Sequence, residues 1–145
     1  MLISIYYPTK SQYSVEPGSP YDFTNYIPIG HVLEKLLRWK KQGTTILYLT
    51  SRRIKNEIEA IKTILKKYNF PDADNLYFRH QGEDYKDVAQ KLMPDVIVED
   101  DCESIGGEIE MTHPHIRDDL KKKIKSIVIK EFAGIDHLPE NVTDF

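Results

Sequence analysis

The chain has 145 residues, enough for one compact domain with its own core and too few for two ordinary ones. Apolar residues make up 40% and charged residues 30%, with a formal net charge of -3, a balance that excludes a disordered or membrane-embedded chain and gives no reason to expect nucleic acid as a partner. No apolar stretch reaches the roughly 18 residues of a membrane span, no secretory signal is visible, and the single Cys102 cannot form an internal disulfide, so the expected location is the cytoplasm.

Residues 2 to 7 are short, β-branched and aromatic, which predicts a buried strand. From Pro8 to Pro28 the chain is rich in Pro, Gly, Ser and Tyr and reads as a long loop or flap. Tyr6, Tyr7, Tyr13, Tyr21 and Tyr26 all come before residue 27, suited equally to a half-wet recognition surface and to packing against the sheet edge. Ile29, Val32, Leu33, Leu36 and Leu37 then form the apolar stripe of an amphipathic helix that Gly43 closes. Residues 45 to 50 are the next strand; Ile54, Ile58, Ile61 and Leu65 mark a second helix, stopped by Asn69-Phe70-Pro71.

Leu76-Tyr77-Phe78 is a short strand, and residues 83 to 92 form a third helix with Tyr85, Val88, Ala89 and Leu92 inward. After the breaker Pro94, residues 95 to 99 are a strand. Ile116 to Lys123 is a further helix, and Ser126 to Ile129 a last strand. Strands alternating with helices of about ten residues predict a parallel sheet with right-handed crossovers, covered on both faces. The expected fold is therefore α/β, a single Rossmann-like three-layer α/β/α sandwich over residues 1–145, with about residues 8–28 as a flap. Ligands in such sheets bind at the carboxyl ends of the strands.

Four predicted strand ends should thus share one edge: Tyr7 to Thr9, Thr50 to Arg53, Arg79-His80 and Glu99 to Asp101. At the turn from Leu49 toward Ile54, hydroxyls and backbone N–H groups suit an anion, so Thr50, Ser51 and Arg52 are candidate phosphate-binding residues. Read alone, Ser51 is simply the N-cap of the following helix. Glu99, Asp100 and Asp101 are three crowded carboxylates that a hard cation such as Mg²⁺ would neutralise; by themselves they also fit a solvated acidic loop with Asp101 or Ser104 capping a short helix. Lys86, about fourteen residues before Asp100, could bridge a phosphate and that acidic group, or merely face water. His113-Pro114-His115 lacks a four-ligand pattern and reads as a surface loop. Lys40-Lys41 and Lys121-Lys122-Lys123 read as solvated faces, and His80 beside Arg79 could touch an anionic ligand.

Taken in order, ILYLTSRR, EDYK and PDVIVEDDCESIGG resemble the motifs of the haloacid dehalogenase-like (HAD-like) superfamily, the large Rossmann-like group of mostly Mg²⁺-dependent phosphohydrolases and phosphotransferases. The resemblance covers nearly the whole chain. It implies that Thr50 and Ser51 bind the phosphoryl group, that Lys86 neutralises charge, and that Asp100 is the Mg²⁺ ligand, supported by Glu99 or Asp101. It also implies that Pro8 to Pro28 replaces a large cap domain.

The departure lies at the first strand. Where the family has Asp-x-Asp-Gly-Thr, alignment on Thr9 puts Ile5 at the nucleophile, Tyr7 at the acid–base position and Pro8 at the glycine. An aspartyl-phosphate intermediate needs a carboxylate, and isoleucine has no lone pair to offer. Asp22 in Asp22-Phe23-Thr24 faintly echoes an Asp-x-Thr form, but the preceding Glu16-Pro17-Gly18-Ser19-Pro20 cannot be the buried strand that would present it. The expected function is a phosphohydrolase-family domain that binds a phosphorylated small molecule or partner with weakly held Mg²⁺ and without turnover. The alternative is an active Mg²⁺-dependent phosphomonoester hydrolase with an unrecognised nucleophile.

Overall fold

The computed structural model describes residues 1–5 and 26–145, with the backbone alone for residues 2–5. Asp22, Tyr6, Tyr7, Tyr13 and Tyr21, and most of the expected flap, lie outside the described residues. Five strands alternate with four α-helices: β1 (Leu2–Ile5), α1 (Val32–Lys41), β2 (Leu47–Thr50), α2 (Lys55–Lys67), β3 (Leu76–Phe78), α3 (Tyr85–Leu92), β4 (Val96–Asp100), α4 (Asp118–Lys121) and β5 (Lys125–Ile129). All strand pairs are parallel, in the order β3-β2-β1-β4-β5. This is the order of a doubly wound dinucleotide-binding sheet without its sixth strand, and its direction reverses between β1 and β4.

Alternation along the strands divides the core in two. Tyr48 of β2 and Val98 of β4 pack with Leu36 and Trp39 of α1 and with Ile61 and Leu65 of α2. Their neighbours Leu49 and Ile97 face the other way and pack with Val88 and Ala89 of α3 and with Ile116 and Ile124. One residue of strand moves a side chain to the opposite face, so each strand feeds both clusters. The Tyr48 hydroxyl, carried into the first cluster, donates to the Pro71 carbonyl at 2.5 Å.

Helix ends follow local chemistry. Gly43, at φ +92°, turns the chain out of α1 in a conformation that a Cβ would oppose. Asn69, at φ +57°, does the same after α2, and its N–H bonds the Lys66 carbonyl at 3.0 Å.

Two expectations are corrected. The stripe of α1 is not the expected one: Ile29 and Leu37 are 50% and 38% exposed, whereas Lys35, Leu36 and Trp39 are buried. The cause is the C-terminal segment, which lies along α1 and presents acceptors. Trp39 Nε1 donates to the Pro139 carbonyl at 2.9 Å, and Lys35 Nζ donates to the Leu138 carbonyl at 2.7 Å and to Glu140 Oε1 at 2.5 Å. The helix expected over 116–123 is only α4 with a 3₁₀ turn at His113–His115 before it. Ile116 and Ile124 are nonetheless buried, because a turn on each side of α4 brings them to the same face.

Candidate functional site

The carboxyl edge of the sheet is set by register. Thr50 at the end of β2 stands opposite Ile5 at the end of β1, and Ile3 stands opposite Val98. Carried two residues further, that pairing sets Ile5 beside Asp100. Thr50 and Asp100 therefore flank Ile5 of β1 at the point where the strand order reverses, about 10 Å apart across two strand spacings.

Thr50 is fully buried, and its Oγ1 accepts the Arg52 N–H at 3.2 Å, which folds the turn back on itself. Arg52 is also buried, with Nη1 3.7 Å from Glu57 Oε1. Ser51 is not the helix cap, since that position falls to Ile54. It is 7% exposed, and its Oγ makes no hydrogen bond of good geometry although the Tyr85 hydroxyl is beside it. Buried hydroxyls are nearly always satisfied, so an orphan at this edge is an open polar position.

The acidic strand end comes apart by face. Glu99 alternates with Ile97 toward α3, and its two oxygens accept the backbone N–H groups of Thr112 at 2.6 Å and His113 at 2.9 Å. Asp100 alternates with Val98 on the opposite side, and its Oδ1 accepts the Cys102 N–H at 3.1 Å and lies 3.0 Å from the thiol. Asp101 Oδ1 accepts the N–H groups of Glu103 and Glu131 at 3.3 and 3.2 Å, which ties the end of β4 to the chain leaving β5. Neither Asp101 nor Ser104 caps a helix; Ser104 donates its N–H and its hydroxyl to the Glu131 carboxylate.

These contacts do not fit a ready Mg²⁺ cage. Hard cations need several free oxygens, yet Glu99 and Asp101 accept backbone donors and Asp100 keeps one oxygen. Among the described residues no three His, Cys, Asp or Glu side chains gather where a cation could sit. The Cys102 thiol is buried beside Asp100. Burial first, and then the neighbouring Asp100 carboxylate, push its thiol well above the usual range and keep it protonated.

Lys86 is on α3, half-buried, and lines a cleft of about 290 Å³ with Arg79, Asp84, Tyr85, Ile109, Glu110, Met111 and His115. Thr50 and Asp100 are not among the residues that line this cleft. Tyr85 joins the edge to the cleft, with its hydroxyl beside Ser51 and its ring stacked under the Arg79 guanidinium at 4.2 Å. Burial raises the Tyr85 phenol above its ordinary value, while Ser51 and Arg79 work in the opposite direction.

Comparison with family models, curated proteins and solved structures finds no match to this chain.

Sequence patterns marked Tyr85 only as an inward helix residue, and nothing in the run from Arg79 to Tyr85 signals that the guanidinium stacks on that ring. His80 is exposed, its N–H bonded to Glu83 at 3.0 Å. His113 and His115 turn Nε2 toward backbone carbonyls of Ile124, Glu108 and Ile109, as loop residues do. No helix of the described residues is long and apolar enough to cross a membrane.

Proposed function

We propose that this chain is a capless HAD-like domain of three-layer α/β/α build that binds a phosphorylated small molecule or phosphorylated partner without turning it over. The observation that carries this reading is Ile5 between Thr50 and Asp100. Thr50 and Asp100 lie on the two strands that flank β1 at the switch point of a parallel sheet, and the position between them where a nucleophilic carboxylate would have to stand is Ile5. The buried Ser51 hydroxyl supports it as a donor without a good partner beside the edge. Mg²⁺ enters only as a weakly held ion, shared between the open oxygen of Asp100, ligand oxygens and water.

The test is a thermal shift combined with a turnover assay, using orthophosphate and p-nitrophenyl phosphate with and without Mg²⁺. Phosphate is expected to raise the midpoint of the parent chain, and Thr50→Val to remove that rise relative to its own ligand-free midpoint. No nitrophenol release is expected. Release abolished by Asp100→Asn would establish the hydrolase instead, and the absence of any phosphate-dependent shift would end the binding reading.

A further inference from the structure

The cleft on the α3 side has an interior and a rim of opposite charge. Its interior holds Arg79, with a side chain 21% exposed, and half-buried Lys86. Its rim holds Asp84, with a side chain 67% exposed, and exposed Glu110 and His115. Carboxylates in water are strongly screened, whereas cations partly removed from it act at lower dielectric, so the floor is cationic despite equal numbers of acids and bases.

Both cations are held for use rather than satisfied. Lys86 makes no hydrogen bond or ion pair among the described residues. Arg79 Nε is buried without a hydrogen bond, and the nearest carboxylate, Asp84 Oδ1, is 3.8 Å from Nη1, beyond hydrogen-bond reach. Stacking on Tyr85 fixes the guanidinium plane without using its outer N–H groups, the arrangement that suits a carboxylate or phosphate.

We propose that this cleft takes a second acidic group of the ligand, a phosphate or a carboxylate, bound by Arg79 and Lys86 while the first phosphate occupies the Thr50–Asp100 edge. This rests on the function proposed above. Tyr85 is the physical link, because it touches Ser51 at the edge and Arg79 in the cleft. A volume of about 290 Å³ holds more than a lone phosphate, which leaves room for the carbon skeleton between the two acids.

The probes are orthophosphate, 4-hydroxybutyl phosphate, 1,4-butanediol bisphosphate and 4-phosphooxybutanoate, titrated calorimetrically into the parent chain, Arg79→Gln, Lys86→Gln and Thr50→Val. The two doubly acidic probes are expected to bind roughly tenfold or more tightly than the monophosphate, and their ratio tells phosphate from carboxylate. Lys86→Gln should abolish that advantage and leave orthophosphate binding unchanged; Arg79→Gln should do the same. Equal affinity for singly and doubly acidic probes overturns the cleft assignment. If the second acid still adds affinity through Arg79 while Thr50→Val changes nothing, the cleft assignment stands and the edge reading fails.

Discussion

Glu99 illustrates how a single residue acquires a role from its surroundings. It is 3% exposed and serves as the double acceptor that holds the loop after β4 against the sheet, through Thr112 and His113. Glu99→Gln puts an NH₂ where one of those N–H groups now points, and is expected to cost about 2 kcal/mol. Urea unfolding without added metal measures it; a loss seen only when Mg²⁺ is present would assign Glu99 to a cation instead.

His31 and Asp136 form an exposed pair, Nδ1 to Oδ2 at 3.1 Å, and the His31 N–H also donates to Asp136 at 2.9 Å. The hydrogen bond to Asp136 raises His31 above 6.5, and the same contact lowers Asp136 below 3.8. Stability from the histidine is fully present below 6.5 and fades as pH rises through its raised value. Stability from the carboxylate is present above 3.8 and fades as pH falls through its lowered value. Asp136→Asn should therefore destabilise most between those limits and least near pH 9, where the imidazole is neutral. Unfolding midpoints at pH 5 and pH 9 check this, and a larger effect at pH 9 would contradict it.

At the scale of elements, α1 depends on the chain that follows β5. Trp39 is fully buried, meets Phe145 edge to face at 5.1 Å between ring centres, and bonds Pro139. Trp39→Phe loses the hydrogen bond and part of the packing, an expected cost of about 1–3 kcal/mol by denaturant titration followed by circular dichroism. A chain ending at Leu138 removes Phe145, the Pro139 acceptor and the Glu140 partner of buried Lys35 together. Its thermal midpoint should fall by more than roughly 5 °C, although Lys35 keeps the Leu138 oxygen as an acceptor. An unchanged midpoint would mean that the segment does not support α1.

For the whole molecule, the strand order predicts graded protection. β1, β2 and β4 each have strands on both sides, whereas β3 and β5 each have one. Amide exchange should therefore be slowest in β1, β2 and β4 and faster by local opening in β3 and β5. Uniform protection across all five strands would show that the sheet opens as one unit.

Much of this architecture is readable from local pattern. Ile58, Ile61 and Leu65 recur at helical spacing because one face of α2 must be apolar, and the run from Val96 to Val98 is apolar throughout because both faces of β4 are covered. The stripe of α1 was misread because apolarity alone marked its buried face. Lys35 is inward only because Leu138 and Glu140, more than a hundred residues away, supply its acceptors.

The order of residues by itself determined the alternation of strands and helices and the polar ends of β2 and β4, since each depends on neighbours in the chain. Only the folded structure decided that Glu99 and Asp100 diverge, that Ser51 is not a cap, and that Lys86 belongs to a cleft with Arg79. Those facts depend on strand pleat and on contacts between distant segments, and neither is encoded in local spacing.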